Sequence, residues 1–182
     1  MREKFLELAK REYPPKTRLI ALIVEGGFFM GVLPVALVYL SSLLDTHLGL
    51  PLLEKEQIAV LVGVFLVVAG FSFAVWAIYV QFTIGRGTPA PFMATQNLIV
   101  QKPYSYCRNP MALGTITLYL GTALIKESIS AVGLVAVGAI ALLTYIKMIE
   151  EKEMEMRFGD SYRTYKEQTP FLIPRLRKRK KG

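Results

Sequence analysis

The sequence predicts an all-α, polytopic membrane protein with about four transmembrane helices, a C-terminal helical hairpin and a cytoplasmic extension. Of the 182 residues, 53% are hydrophobic, and the mean hydropathy is +0.39. The apolar residues form long runs, and a helix needs roughly 20 mainly apolar residues to cross a bilayer. Lys and Arg collect in the segments at one side of these runs. Together these observations favour a multi-pass membrane protein over a soluble domain.

Four apolar runs predict the membrane helices. The first is interrupted only by Glu25 and Pro34, and the second carries no charge. The third is short for a span, and the fourth is long enough up to Lys147. Only Lys-Glu-Ser separates the last two runs, which predicts a tight transmembrane hairpin. The four predicted spans are residues 19–44, 57–82, 111–125 and 128–149.

The distribution of basic residues predicts the orientation. Twenty of the 22 Lys and Arg lie before the first span, between the second and third, or from Lys147 onward, and only Lys55 and Lys126 lie in the opposite loops. Because basic segments stay in the cytoplasm, both termini are expected there. We treat 1–182 as a single domain: a helix pair (1–82), a cytoplasmic connection (83–110), and a hairpin with its cytoplasmic tail (111–182).

The basic tail PRLRKRKKG has two interpretations. It could be a nucleic-acid arm, but topology and contacts to anionic lipid explain its charge without a further partner. We therefore expect membrane lipids and no nucleic acid as partners. The single cysteine, Cys107, excludes an intramolecular disulfide and is interpreted as a packing residue in a cytoplasmic segment.

The cytoplasmic connection opens with GRGTPAP, in which Gly85 and Gly87 flank Arg86. Glycines allow the backbone to approach a ligand closely, and the prolines stiffen the segment that follows. The alternative is a helix C-cap at Gly85 followed by a proline-rich loop.

The connection ends with KPYSYCRNPMALG, where Asn109 and Pro110 predict a helix start with a side-chain cap. Free backbone donors at that start, together with Arg108, would suit a carboxylate or phosphate. The alternative is a capped transmembrane helix with an interfacial arginine.

Glu150 and Glu151 lie where the last predicted span meets water, and they point about 100° apart on a helix. A tight hairpin would bring them beside Arg108 and Asn109, so that an anion site adjoins a site for an ammonium or ribose. S-adenosylmethionine carries all three groups. The alternative is an acidic helix surface paired with Lys147 and Lys152.

These motifs resemble the integral-membrane methyltransferases that include phospholipid N-methyltransferases and isoprenylcysteine carboxyl methyltransferases. The resemblance covers roughly residues 85–174. Arg108-Asn109-Pro110 through Gly114, followed by Glu150-Glu151, is similar to the isoprenylcysteine motif, whereas NPMALGTITLYLG and GRG resemble the phospholipid branch more closely. Asn109 replaces a His of the first branch, and Ala112 replaces a Tyr of both. The resemblance implies an S-adenosylmethionine site lined by the following residues: Gly85, Gly87, Arg108, Asn109, Pro110, Glu150 and Glu151.

Glu25 is the remaining candidate, because a carboxylate within an apolar span is costly and is usually functional. It could be a base or a partner for a substrate head group; alternatively, Gly26 and Gly27 admit a neighbouring helix while Glu25 is protonated or paired with an arginine. We expect Glu25 and Arg108 to be catalytic. No Ser-His-Asp set, metal cluster or P-loop is present in the sequence, and no metal is expected.

The expected function is methyl transfer to a hydrophobic or lipid-like acceptor, favoured as N-methylation of a phospholipid amine such as phosphatidylethanolamine. Carboxyl O-methylation of an isoprenylcysteine and S-methylation of a small thiol are alternatives within the same chemistry. A non-catalytic transporter subunit or scaffold is the alternative outside it. The pairing of RNPM with Glu150-Glu151 argues against a scaffold, because transport does not need it.

Overall fold

The computed structural model describes residues 12–51, 57–88 and 93–175. Several features of the sequence lie outside these ranges and keep their status as predictions. They are the basic residues Arg2, Lys4, Lys10, Arg11 and Lys55, the prolines Pro89 and Pro91, and the basic tail beyond Arg175.

The described ranges contain five helices and no strand, which confirms the all-α prediction. The long first, second and fourth helices each include a π-helical turn. The helices are α1 (Pro15–Leu48), α2 (Gln57–Gly85), α3 (Pro110–Lys126), α4 (Ile129–Phe158) and α5 (Asp160–Gln168).

Three of these helices, α1, α2 and α4, are long and apolar enough to cross a membrane, with hydropathies of 2.1, 2.8 and 2.3. The third predicted span corresponds to α3, which has 17 residues. At about 1.5 Å per residue, α3 is slightly shorter than a hydrocarbon core of about 30 Å. A fourth crossing therefore stays a prediction.

Glycines bring α2 and α3 together as an antiparallel pair with touching backbones. A Cβ atom at Gly70 would lie 2.6 Å from the carbonyl oxygen of Gly114, and one at Gly121 would lie 2.6 Å from that of Gly63. Both contacts repeat after seven residues, or two helical turns. Small residues permit this approach in membranes, where van der Waals packing replaces the hydrophobic effect between helices.

Large apolar side chains lie on the outside of the helices. Leu61, Phe65 and Val68 of α2 are each at least 60% exposed, whereas Ala74 and Ala77 are completely buried. Small residues inside and large apolar residues outside are the arrangement that suits a lipid environment.

Pro34 explains the irregularity of α1. The Leu33 N–H donates to the Phe28 carbonyl across a π-helical turn, and Pro34 has no N–H to donate to the next carbonyl, that of Phe29. The Tyr119 hydroxyl of α3 donates to this carbonyl instead, at 2.5 Å. Tyr119 therefore supplies the hydrogen bond that Pro34 removes.

The predicted tight hairpin is present between α3 and α4. Glu127 takes the left-handed conformation (φ 56°), and Ser128 caps α4 by accepting a hydrogen bond from the Ala131 N–H at 3.0 Å. The buried Asp45 carboxylate of α1 accepts from the Ser128 hydroxyl at 2.5 Å and from the Ser130 N–H at 3.2 Å. These bonds attach the end of α1 to the hairpin.

The close contact of α2 and α3 gives a stability prediction. We expect Gly70→Ala to lower the free energy of unfolding by about 1–3 kcal/mol, because its Cβ would lie 2.5 Å from the Leu118 backbone nitrogen. Gly138→Ala is the matched control, since no described atom lies within 4 Å of its Cβ position and alanine favours the helix. Thermal unfolding in detergent measures both. Equal stability of the two variants would contradict backbone contact.

Candidate functional site

A cavity of about 590 Å³ lies where α2 ends and α3 begins. All five helices and the connection between α2 and α3 contribute to its walls, which are mainly apolar. Six of the residues expected to be functional line it together: Glu25, Arg108, Asn109, Pro110, Glu150 and Glu151. The helices thus converge on the residues that the sequence singled out.

Each of the three long helices has a π-helical turn at this cavity. The turns are Phe28–Val32 in α1, Gln81–Gly85 in α2 and Ile146–Glu150 in α4. Phe28, Gln81 and Glu150 are cavity residues from the three turns. A π turn rotates the residues beyond it relative to those before it and often occurs at functional sites. The turns of α2 and α4 direct the polar side chains of Gln81 and Glu150 into the cavity, whereas the turn of α1 follows Glu25 and contributes Phe28.

Gly85 and Gly87 fold the connection onto itself. The Gly85 carbonyl accepts hydrogen bonds from the Gln96 and Asn97 N–H groups at 2.6 and 3.2 Å. A Cβ atom on Gly87 would lie 2.7 Å from the Thr95 nitrogen. The left-handed residue that ends α2 is Arg86 (φ 55°), so the expected C-cap at Gly85 is displaced by one residue. A cofactor contact at either glycine stays a prediction, as neither lines the cavity.

Arg108 holds the C-terminal segment against the bundle. Its guanidinium donates to Glu151 Oε1, with Nε at 3.0 Å and Nη2 at 2.6 Å. Nη1 donates to the carbonyls of Lys166 and Thr169 at 2.9 and 2.6 Å, and the Arg108 N–H donates to the Pro170 carbonyl at 2.9 Å. Arg108 thus joins the start of α3 to α4, to α5 and to the chain that follows α5.

Glu151 is buried and receives charge from two sides. Besides Arg108, the Lys166 ammonium lies 3.0 Å from Glu151 Oε2 and 2.9 Å from Glu155 Oε1. The hydrogen bonds to Glu155 and Glu151 raise the pKa of Lys166, which keeps its positive charge. Removing one partner of a buried ion pair strongly destabilises a protein, because the other charge stays buried without a counter-ion. The contacts of Arg108 and Glu151 thus have a structural role; contact of either with a cofactor stays a prediction.

The start of α3 partly corrects the expectation for Asn109. The helix begins at Pro110 as predicted, but the Asn109 side chain makes no capping hydrogen bond. Its amide nitrogen instead donates to the Phe171 carbonyl at 2.9 Å. The sequence could not reveal this competition, because Phe171 is brought to Asn109 only by the Arg108 contacts.

The neighbouring carboxylates of α4 have different surroundings. Glu151 is bound to Arg108 and Lys166, whereas Glu150 makes no hydrogen bond or ion pair with the described residues. The ion pairs expected with Lys147 and Lys152 are absent from the described contacts. Of these two neighbours, Glu150 is therefore the carboxylate that the described contacts leave unbound at the cavity.

Three tyrosines, Tyr104, Tyr162 and Tyr165, form part of the cavity wall. The Tyr104 hydroxyl donates to Gln81 Oε1 at 3.1 Å, and the Tyr165 hydroxyl donates to the Tyr104 carbonyl at 2.7 Å. Burial raises the pKa of Tyr104, Tyr162 and Tyr165, so these phenols stay protonated. Sequence reasoning missed Gln81, Tyr162 and Tyr165. The spacing of the two tyrosines on one face of a short, polar helix was the available signal.

Glu25 lies in the cavity and accepts a hydrogen bond from the buried Thr88 hydroxyl at 3.0 Å. No described atom lies within 4 Å of the Cβ positions of Gly26 and Gly27, so these glycines do not make the close helix contact of the structural alternative. Its other part, that Glu25 is protonated or paired with an arginine, stays a prediction. The π-helical turn that follows these glycines borders the cavity, and the glycines themselves form no close contact with a described helix. Whether Glu25 is catalytic stays a prediction.

Two further residue types bear on the chemistry. Cys107 is fully buried, and burial raises the pKa of its thiol to about 11, which fits a packing role. Within the part of the chain that the structure describes, no group of three His, Cys, Asp or Glu could hold a metal ion.

A family model of phospholipid methyltransferases matches residues 58–161, which is more than half of the chain. Curated proteins and solved structures give no significant match. The match starts in α2, upstream of the resemblance seen in the motifs, and includes the glycine contacts, Arg108 and both α4 carboxylates.

This match confirms the resemblance to membrane methyltransferases. The family indicates methyl transfer to phospholipid-like substrates, and the three apolar helices indicate an integral membrane protein. The chain belongs to the phospholipid methyltransferase family.

Proposed function

We propose that the protein transfers methyl groups from S-adenosylmethionine to the amine of a phospholipid such as phosphatidylethanolamine. The observation that supports this most is that carboxylates from α1 and α4 line the same cavity, whose walls are otherwise mainly apolar. Such a space suits one polar, cationic ligand and one amphiphile. Its volume lies within the range of small-molecule sites, about 300–1,000 Å³.

The α4 side of the cavity fits the cofactor. Glu150 would accept hydrogen bonds from the ammonium or ribose, and the α3 start with Arg108 would attract the carboxylate. The guanidinium of Arg108 already donates hydrogen bonds to Glu151, so its positive charge is held in a fixed position. From that position it would attract the cofactor's carboxylate. Tyr162 and Tyr165 also line the cavity, and the face of either ring would suit a cation. When bound, the cofactor supplies a methyl group activated on a sulfonium.

The α1 side of the cavity fits an amine acceptor. An amine must lose its proton before its lone pair can attack, and Glu25 is the carboxylate available as the base. Thr88 would hold that carboxylate in one orientation through its hydroxyl hydrogen bond. A carboxylate acceptor would instead meet Glu25 as a like charge. The position of Glu25 thus favours N-methylation over methylation of an isoprenylcysteine carboxylate.

The distribution of Lys and Arg supports a cytoplasmic position for this cavity and both termini. The hairpin end with Asp45 and Ser128 would then face the opposite side of the membrane.

Replacing Glu150 tests the cofactor site. Glu150→Gln is expected to weaken binding of S-adenosylmethionine and of its demethylated product about 10- to 100-fold, because a charge-assisted hydrogen bond is lost. Glu167→Gln, an identical change at an exposed position of α5, is the control. Calorimetry in detergent measures both ligands. Wild-type affinity in Glu150→Gln would remove this carboxylate from the site.

The acceptor is tested with purified protein, labelled cofactor and phosphatidylethanolamine in mixed micelles. We expect the label to enter the lipid amine, and Glu25→Gln to lower kcat about a hundredfold while cofactor affinity is unchanged. Label found only in prenylcysteine or small thiols would refute the phospholipid assignment. Normal turnover of folded Glu25→Gln would exclude the base role.

The orientation is tested by cysteine labelling in cells. His47→Cys is expected to react with an impermeant thiol reagent from outside intact cells, and Lys152→Cys only after permeabilisation; both positions are exposed. Cys107 gives no background because it is buried. The reversed pattern would place the cavity at the outer face.

A further inference from the structure

Arg18 is a buried cation on the same helix as the cavity residues Leu22 and Glu25. It is 8% exposed and lies one helical turn before Leu22, which lines the cavity. Its Nη2 donates to the Phe82 carbonyl, and its guanidinium lies 4.4 Å from the Phe82 ring centroid. Its Nε is the one buried side-chain nitrogen or oxygen without a hydrogen-bond partner among the described residues. A buried N–H donor without an acceptor costs free energy, and a ligand that accepts this hydrogen bond would remove the cost.

Arg86 adds a second positive charge. It follows the π turn that contains Phe82 and is close enough to repel Arg18 electrostatically. In the described parts of the chain, neither arginine forms an ion pair with a carboxylate. Two like charges held near one another without a counter-ion favour the binding of an anion between them.

Three other cations near the cavity are already paired. Arg108 binds Glu151, Arg157 binds Glu153, and Lys166 binds Glu151 and Glu155. Arg18, which is buried, and Arg86, which is exposed, have no such carboxylate partner among the described residues.

Arg18 and Glu25 share one face of α1. They are seven residues apart, which is about two turns and about 10.5 Å along the axis. Both contact the end of α2 and the residues after it: Arg18 through the Phe82 carbonyl and Glu25 through the Thr88 hydroxyl. The long Arg side chain can shorten the distance between the two charges. The positive guanidinium of Arg18 thus lies one helical turn from the cavity lining at Leu22, and the negative carboxylate of Glu25 lies in that lining.

We propose that Arg18, assisted by Arg86, binds the phosphodiester of the acceptor lipid while Glu25 receives its amine. This inference rests on the proposed function and specifies its substrate: a zwitterionic amino-phospholipid recognised at both charges. The guanidinium offers a planar fork for phosphate oxygens, which an ammonium cannot reproduce. A phosphate bound at Arg18 would leave the acyl chains near the exposed apolar surface of α1, where Leu19 and Ile23 are at least 50% exposed.

The test compares two acceptors with purified full-length protein in mixed micelles: phosphatidylethanolamine, and sphingosine as a long-chain primary amine without phosphate. The quantity measured is the ratio of their kcat/KM values. We expect Arg18→Gln to lower the preference for phosphatidylethanolamine at least about tenfold, because charge-assisted hydrogen bonds to phosphate are lost. Arg86→Gln should lower it less. Lys16→Gln is the control, since Lys16 is an exposed cation on the same helix.

Arg18→Lys separates phosphate binding from simple attraction to the membrane. It retains the charge but loses the fork, so an intermediate ratio is expected. An unchanged ratio in folded Arg18→Gln would overturn the proposal, as would equal losses for both acceptors accompanied by weaker cofactor binding. If Arg18→Gln does not fold, Arg18→Lys and Arg86→Gln decide by the same ratio. Failure of the wild-type protein to methylate either amine would instead refute the proposed function.

Discussion

The direct contact between the backbones of α2 and α3 is the constraint on which the rest of the structure depends. Gly63 and Gly70 face Gly121 and Gly114, and any larger side chain at these positions would overlap the partner backbone. Within a bilayer, helices gain nothing from hiding apolar surface from lipid, so close packing must hold them together. This contact fixes the end of α2 beside the start of α3. As a result, the connection between them must fold back over the same end of the bundle, where it meets α4 and α5.

The two ends of the bundle are closed by different chemistry. At the hairpin end, Asp45 accepts hydrogen bonds from Ser128 and Ser130 and ties α1 to the hairpin. At the other end, Arg108 and Glu151 join α3 to α4 and hold the segment after α5. The first half of α1, Pro15–Gly27, packs sparsely against other helices, whereas the second half, Leu33–Leu48, packs against α4 and α3. Because α1 is attached mainly at its far end, a cavity remains between its first half and the other helices.

The contents of that cavity agree with the chemistry expected of a membrane methyltransferase. Polar groups that are costly inside an apolar helix occur where π turns disturb the regular hydrogen bonding and direct side chains inward. Burial keeps the surrounding phenols and the Cys107 thiol protonated, and Glu25 and Glu150 bring carboxylates to mainly apolar cavity walls. In the function proposed above, an amphiphilic acceptor would bring its apolar part from the exposed apolar surface of α1 while its head group reaches Glu25.

The sequence by itself determined the helical architecture, the long apolar spans and the tight hairpin, because these follow from local composition, glycine and proline. It also identified the charged cavity residues Arg108, Glu150 and Glu151 through motif spacing, since the hairpin brings its two ends together, and Glu25 through the cost of a carboxylate in an apolar span. Only the tertiary structure decided how neighbouring carboxylates divide their roles: Glu151 is bound by Arg108 and Lys166, and Glu150 faces the cavity. It also decided that Asn109 donates to the Phe171 carbonyl instead of capping α3. In the same way, it decided that Thr88 donates to Glu25 of α1, and that Arg18 of α1 donates to the Phe82 carbonyl of α2. The hydrogen bonds of Arg108, Asn109, Thr88 and Arg18 join residues 43 to 64 positions apart, so their partners depend on how the helices pack and no local pattern records them.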